Sequence, residues 1–254
     1  MKNQLSWITI AIALMSGIGA VRGFETAQGV TATPIDHVPF TINTPGNYFL
    51  PTDLESALPG AAITVDASQV VIDLNGRTLK ATGAARTANV GIGIVVLNQE
   101  DVTVQNGDID KFGAYGVLFA ASDGKKEHNF KNLARNINFN SDLVGILIVS
   151  GSLDLVEHCN FEGGSIGIYD VASLGGDRFQ ADNFEAQTGV EALNEGVGIV
   201  SSGGVGNLTE DCMFADAQTL GLAMGNSKDL SRFNSFINCA VNRMGGTDLG
   251  AASN

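Results

Sequence analysis

Apolar residues come along this chain in short bursts, and Gly, Asn, Asp or Ser breaks each burst. Val102-Thr-Val104 and Gly145-Ile-Leu-Ile-Val149 read as short alternating strands, with no helical period. The interrupting residues are those that tight turns favour. No amphipathic helical stretch follows the apolar run at the N-terminus. The bursts also recur. Gly145–Phe161 reads GILIVSGSLDLVEHCNF, and Gly167–Phe184 reads GIYDVASLGGDRFQADNF. Gly198–Phe214 (GIVSSGGVGNLTEDCMF) and Gly221–Phe236 (GLAMGNSKDLSRFNSF) repeat the theme. Gly93, Gly116, Gly145, Gly167, Gly198 and Gly221 open the units, at spacings of 23, 29, 22, 31 and 23 residues. Ile109, Phe139, Phe161, Phe184, Phe214 and Phe236 close them.

A unit of a few short strands cannot bury its apolar face alone, but stacked units can. A period in the twenties built from strands predicts an all-β, single-domain parallel β-helix of about eight coils. The closing Phe residues should then stack about 4.8 Å apart, the strand spacing. The opening Gly answers either a close approach or a positive φ at a corner. Cys159 and Cys212 share a column two coils apart, about 9–10 Å. That is too far for a disulfide, so Cys159, Cys212 and Cys239 are read as free thiols.

Residues 61–240 hold the repeat. Residues 38–60, with four of the five prolines, read as an N-terminal cap segment. Residues 24–37 read as a flexible lead-in and 241–254 as a small, polar C-terminal tail. Ala121–Lys131 lengthens one coil and is a candidate recognition loop.

Three stretches carry a resemblance: GNYFLPTDLE (46–55), ITVDASQVVIDLNGRTL (63–79) and DVTVQNGDIDKFGAYGV (101–117). They resemble the exported right-handed parallel β-helix repeat proteins of the pectate-lyase-like superfamily, over roughly residues 38–240. The resemblance implies a right-handed solenoid. Its members include pectate lyases, polygalacturonases, pectin esterases and mannuronan epimerases, alongside adhesins and phage tail components. Their catalytic signatures (Trp-Ile-Asp-His, Arg-x-Pro-x-x-Arg, Asn-Thr-Asp, Gly-His-Gly, Asp-Pro-His-Asp) do not occur here. The resemblance therefore transfers no catalytic residue.

Charge narrows the partners. Fourteen basic against 27 acidic residues give −13, which repels nucleic acid and anionic lipid. Lys2 and the apolar run Leu5–Ala20 read as a signal peptide over residues 1–23, cleaved after Ala20 or Gly23. The run is shorter than the roughly 20 residues that span a bilayer. A secreted, periplasmic or extracellular protein with no transmembrane segment in the mature chain is expected.

Candidate chemistry is sparse. Gly163-Gly-Ser165-Ile-Gly167 matches the pattern of a nucleophilic serine but falls at the join of two coils, without the strand-to-helix turn that chemistry needs. Asp154 and Asp177 share a column with Asn132, Asn207 and Asp229. On neighbouring coils they offer oxygen ligands for Ca²⁺, or a ladder of turn-capping side chains. Glu157, His158, Asp177 and Arg178 offer a base, an acid and a cation on consecutive coils. Arg135 with Glu157, and Glu210 with Arg232, pair opposite charges on coil neighbours. Asn207-Leu-Thr209 is a glycosylation sequon. These residues favour an exported, non-catalytic recognition or structural protein associated with an extended glycan or cell-surface component, with no cofactor unless Ca²⁺ binds. The alternatives are a small polysaccharide lyase or glycoside hydrolase using residues 157–178, and an adhesin or fibre segment.

Overall fold

The computed structural model describes residues 31–121, 130–171, 175–185, 196–202, 204–217, 220–226, 228–239, 243–245, 247–248 and 252–253. The predicted signal peptide and the bulk of the 121–131 loop lie outside them. Among the described residues every strand pairing is parallel, and the partners are 15 to 32 residues apart in sequence, which makes the chain a parallel β-helix. Ala32–Asn254 forms one contact unit.

Each coil contributes one strand to a nine-stranded sheet, here sheet B. Its strands are Phe40–Ile42, Gly60–Val65, Gly91–Leu97, Tyr115–Ala120, Val144–Val149, Ile166–Val171, Val197–Ser202, Leu220–Met224 and Arg243–Met244. The rest of each coil bends through a seventeen-stranded sheet A. Two of its strands, Thr103–Asp110 and Leu133–Asn140, run continuously. In later coils the same stretch splits in two, as in Leu155–Glu157 and Asn160–Glu162.

The bend falls at one column: Asn106, Asn136, His158, Ala181, Asp211 and Phe233, all left-handed with φ between 52° and 62°. Asn and Asp tolerate this conformation, whereas other L-residues pay a steric cost of about 1–2 kcal/mol. Phe233 is 61% exposed and contributes little packing to offset that cost. Phe233→Asn is therefore expected to stabilise the fold by about 1 kcal/mol. An unchanged or lower denaturation midpoint would show that the ring contributes more than its strain costs.

The closing column stacks as expected. Phe139, Phe161, Phe184, Phe214 and Phe236 lie 4.8–5.0 Å apart, within 9° of parallel. The opening glycines resolve to close approach, since none has a positive φ. A Cβ on Gly116 would sit 2.7 Å from the Phe139 ring, and one on Gly145 2.5 Å from Phe161. Gly116, Gly145, Gly167 and Gly198 each make room for the aromatic that closes their own coil.

At the corners the strand ladder stops, and side chains take over the orphaned backbone donors. The N–H groups of Val102, Asn132, Asp154, Asp177 and Asn207 each donate to the Oδ1 of the next coil's Asn or Asp, at 2.8–3.1 Å. A second such column joins Cys159 to Asp182 and Cys212 to Asn234, at 2.8 and 2.9 Å. Cys159, Cys212 and Cys239 are free thiols.

The two ends differ from the sequence expectation. The segment expected to cap the stack is itself a coil: Phe40–Ile42, Gly46–Phe49 and Leu54–Ser56 pair in register with the next turn. The expected tail also continues both sheets, through Arg243–Met244, Thr247–Asp248 and Ala252–Ser253. The N-terminal coil joins the main core through Ile42, Tyr48, Leu50 and Leu54. Thr33–Pro34, in the expected flexible lead-in, pairs with Tyr48–Phe49, and Ile35 is buried.

Candidate functional site

Sheet A carries the charge. Arg135 donates from Nε and Nη2 to Gln105 Oε1, at 2.9 and 2.7 Å. Glu157 stands in register between Arg135 and Gln180. Glu210 is only 3% exposed at its side chain and is clamped from two sides, by Arg178 and by Arg232. Arg232 Nε reaches Glu210 Oε2 at 2.6 Å. Burial pushes the Glu210 carboxyl up, but the bonds from Arg232 and Arg178 outweigh it, and the net shift is downward.

The sequence-named quartet does not converge. Glu157, His158 and Arg178 reach the outer side of sheet A, with His158 exposed in the left-handed bend. Asp177 is fully buried, and its Oδ1 accepts the Asp154 N–H at 2.9 Å. Adjacent residues point to opposite sides of a strand, so Asp177 and Arg178 cannot share a groove. The same burial holds Asp154, whose Oδ1 accepts the Asn132 N–H at 2.8 Å. Both carboxylates are thus engaged, through Oδ1, in holding the backbone of the coil before them. Among the described residues, no three His, Cys, Asp or Glu are placed to hold a metal. Ser165 is fully buried, so it is not a presented nucleophile. Asn207 of the sequon is buried too and donates to Asp170 and Ser201.

The interior holds a polar network that the sequence did not flag. Asp170 occupies an inward column otherwise filled by Val96, Phe119, Ile148 and Met224, with Ser201 beside it. Its Oδ2 accepts from Ser201 Oγ and Asn207 Nδ2, each at 3.0 Å, while Oδ1 has no hydrogen-bond partner among the described residues. Burial, reinforced by the charge of Asp177, pushes the Asp170 carboxyl up to about 7. Burial also holds Asp142, Asp154 and Asp182 well above the usual carboxylate range.

Sheet B is the opposite of sheet A. From Gly60 to Met224 its strands contain one charged residue, the inward Asp170. Ile146 and Ile148 enter the main core, but Val144, Leu147 and Val149 join a second apolar cluster on the other face. Ile166, Val197 and Leu220 extend that cluster, and Tyr115, Leu118, Tyr169, Val171 and Val200 are its half-exposed members. The alternation expected at Gly145–Val149 thus gives way to a strand apolar on both faces, which reads as a continuous run. Tyr115 and Tyr169 sit on strands two rungs apart, about 10 Å.

No protein-family model matches the chain, and no curated protein matches it. Among the described residues no helix is long and apolar enough to cross a membrane.

Proposed function

We propose that this chain is an exported, non-catalytic β-helix that presents the outer face of sheet B to an extended glycan or cell-surface component. One observation carries this reading: on a protein of net charge −13, a broad strip of sheet B has no outward charge and bears two half-exposed tyrosines. Val144, Leu147, Ile166, Val197 and Leu220 are buried on this face, and the half-buried Tyr115, Leu118, Tyr169, Val171 and Val200 are what reaches solvent. Aromatic and aliphatic side chains suit the C–H faces of sugar rings, and the low charge keeps desolvation inexpensive. The turn and ladder motifs of residues 46–117 support a relationship to the pectate-lyase-like proteins, and the leader at residues 1–23 supports export.

The test is a screen of neutral and acidic polysaccharides that reads binding and the release of reducing or unsaturated ends together. Tyr115→Ala and Tyr169→Ala are expected to weaken glycan binding about tenfold each, the loss of one stacking contact, in a protein that circular dichroism shows still folded at the assay temperature. Binding that ignores both substitutions would move the site off sheet B. Release of ends that disappears in Arg178→Ala would replace this reading with the lyase or hydrolase one.

A further inference from the structure

A groove of about 260 Å³ follows the corner where sheet A turns into sheet B, across four successive coils. Arg86 enters it from the short 3₁₀ turn Gly83–Arg86, and Lys111, Ser141 and Gly164 from the next three corners. Its floor is apolar: Phe112 is fully buried and Leu143 is 8% exposed.

Its donors are largely uncommitted. Arg86 forms no ion pair or side-chain hydrogen bond among the described residues. The Ser141 hydroxyl and the Gly164 N–H likewise have no acceptor among them. Lys111 commits one N–H to Asp110, at 3.2 Å, and Asp110 is shared with Lys80 at 3.9 Å. Asp142 lies beneath, its Oδ1 holding the Phe112 N–H at 2.6 Å. Burial holds that carboxyl well above its usual range, which favours its neutral form.

We propose that this corner groove binds a sugar carrying a sulfate or phosphate ester. Arg86 and Lys111 face the oxyanion through charge-assisted hydrogen bonds. Phe112 and Leu143 take the apolar face of the ring, and Ser141 and the Gly164 N–H meet its hydroxyl oxygens. The groove is several times the roughly 30 Å³ that one water occupies in the liquid, too roomy for an inorganic oxyanion alone to fill. Nothing in this assignment depends on sheet B, so the two readings fail separately.

Calorimetric titration at fixed ionic strength tests it, with glucose 6-phosphate, glucose 6-sulfate, glucose and inorganic phosphate as ligands. Saturable binding of the esters is expected, with glucose and inorganic phosphate each at least about tenfold weaker. Arg86→Gln, at an exposed position, should weaken ester binding about tenfold or more without moving the thermal midpoint. Tyr115→Ala should leave ester binding intact. Esters that do not saturate, inorganic phosphate that binds as well as they do, or indifference to Arg86→Gln would each overturn the assignment.

Discussion

The protein is expected to grow less stable as the pH rises from about 5 to 8, with its maximum at mildly acidic pH. Asp142, Asp154, Asp170, Asp182 and Asp229 all have carboxyls raised by burial. A raised folded-state pKa means that the native state holds its proton where the unfolded chain has lost it. Stability is therefore greatest below the unfolded value of 3.8 and falls until the folded value is passed. For Asp170 that window runs from 3.8 to about 7. A shift of that size is worth up to about 4 kcal/mol. Glu210 works the other way: its lowered carboxyl gives stability above 4.5 that is lost as the pH falls further. The two trends place the optimum near pH 5.

Denaturation midpoints at pH 5 and pH 8, at equal ionic strength, would check this. Asp170→Asn mimics the neutral acid and keeps an oxygen for Ser201 and Asn207. It should raise stability at pH 8 and flatten the slope between the two pH values. A midpoint that is level or rises from pH 5 to pH 8 in the unmodified protein would refute the account. So would a slope that Asp170→Asn leaves unchanged.

The second large effect is steric. Phe161→Ala should cost about 3–5 kcal/mol, because it opens a cavity inside a continuous ring stack. Gly145→Ala should cost about 3 kcal/mol for the opposite reason. Its Cβ would stand 2.5 Å from the Phe161 ring and 2.7 Å from the carbonyl oxygen of Gly167. The ring could give way, but the carbonyl belongs to the next coil's backbone. Combining Gly145→Ala with Phe161→Leu should recover part of the loss, since one clash goes and the other stays. A double-mutant cycle reads this directly: costs that simply add would show that glycine and ring do not meet.

The repeat was legible because stacking imposes the same demand on every coil. The closers Phe139 to Phe236 align in the sequence as they align in space. The Asx column from Asn132 to Asp229 was legible too, as a ladder of turn residues. Its burial was not, because Asn and Asp serve exposed and buried turns equally well. Asp177 shows the same limit: its place beside Arg178 in the sequence did not reveal that it is buried while Arg178 is exposed. Nothing in the sequence singled out Asp170, and only its register between Ile148 and Ser201 put it inside.

The sequence alone determined the period, the parallel stacking, the aromatic stack and the separation of Cys159 from Cys212, because each is a property of the repeating unit. Only the tertiary structure decided which faces meet solvent. It buried Asp154, Asp177 and Asn207, set Arg178 and Arg232 on either side of Glu210, and left an uncharged strip across sheet B. Those outcomes depend on how much each coil's corner bends and on what lies one coil above and below, and a one-dimensional pattern encodes neither.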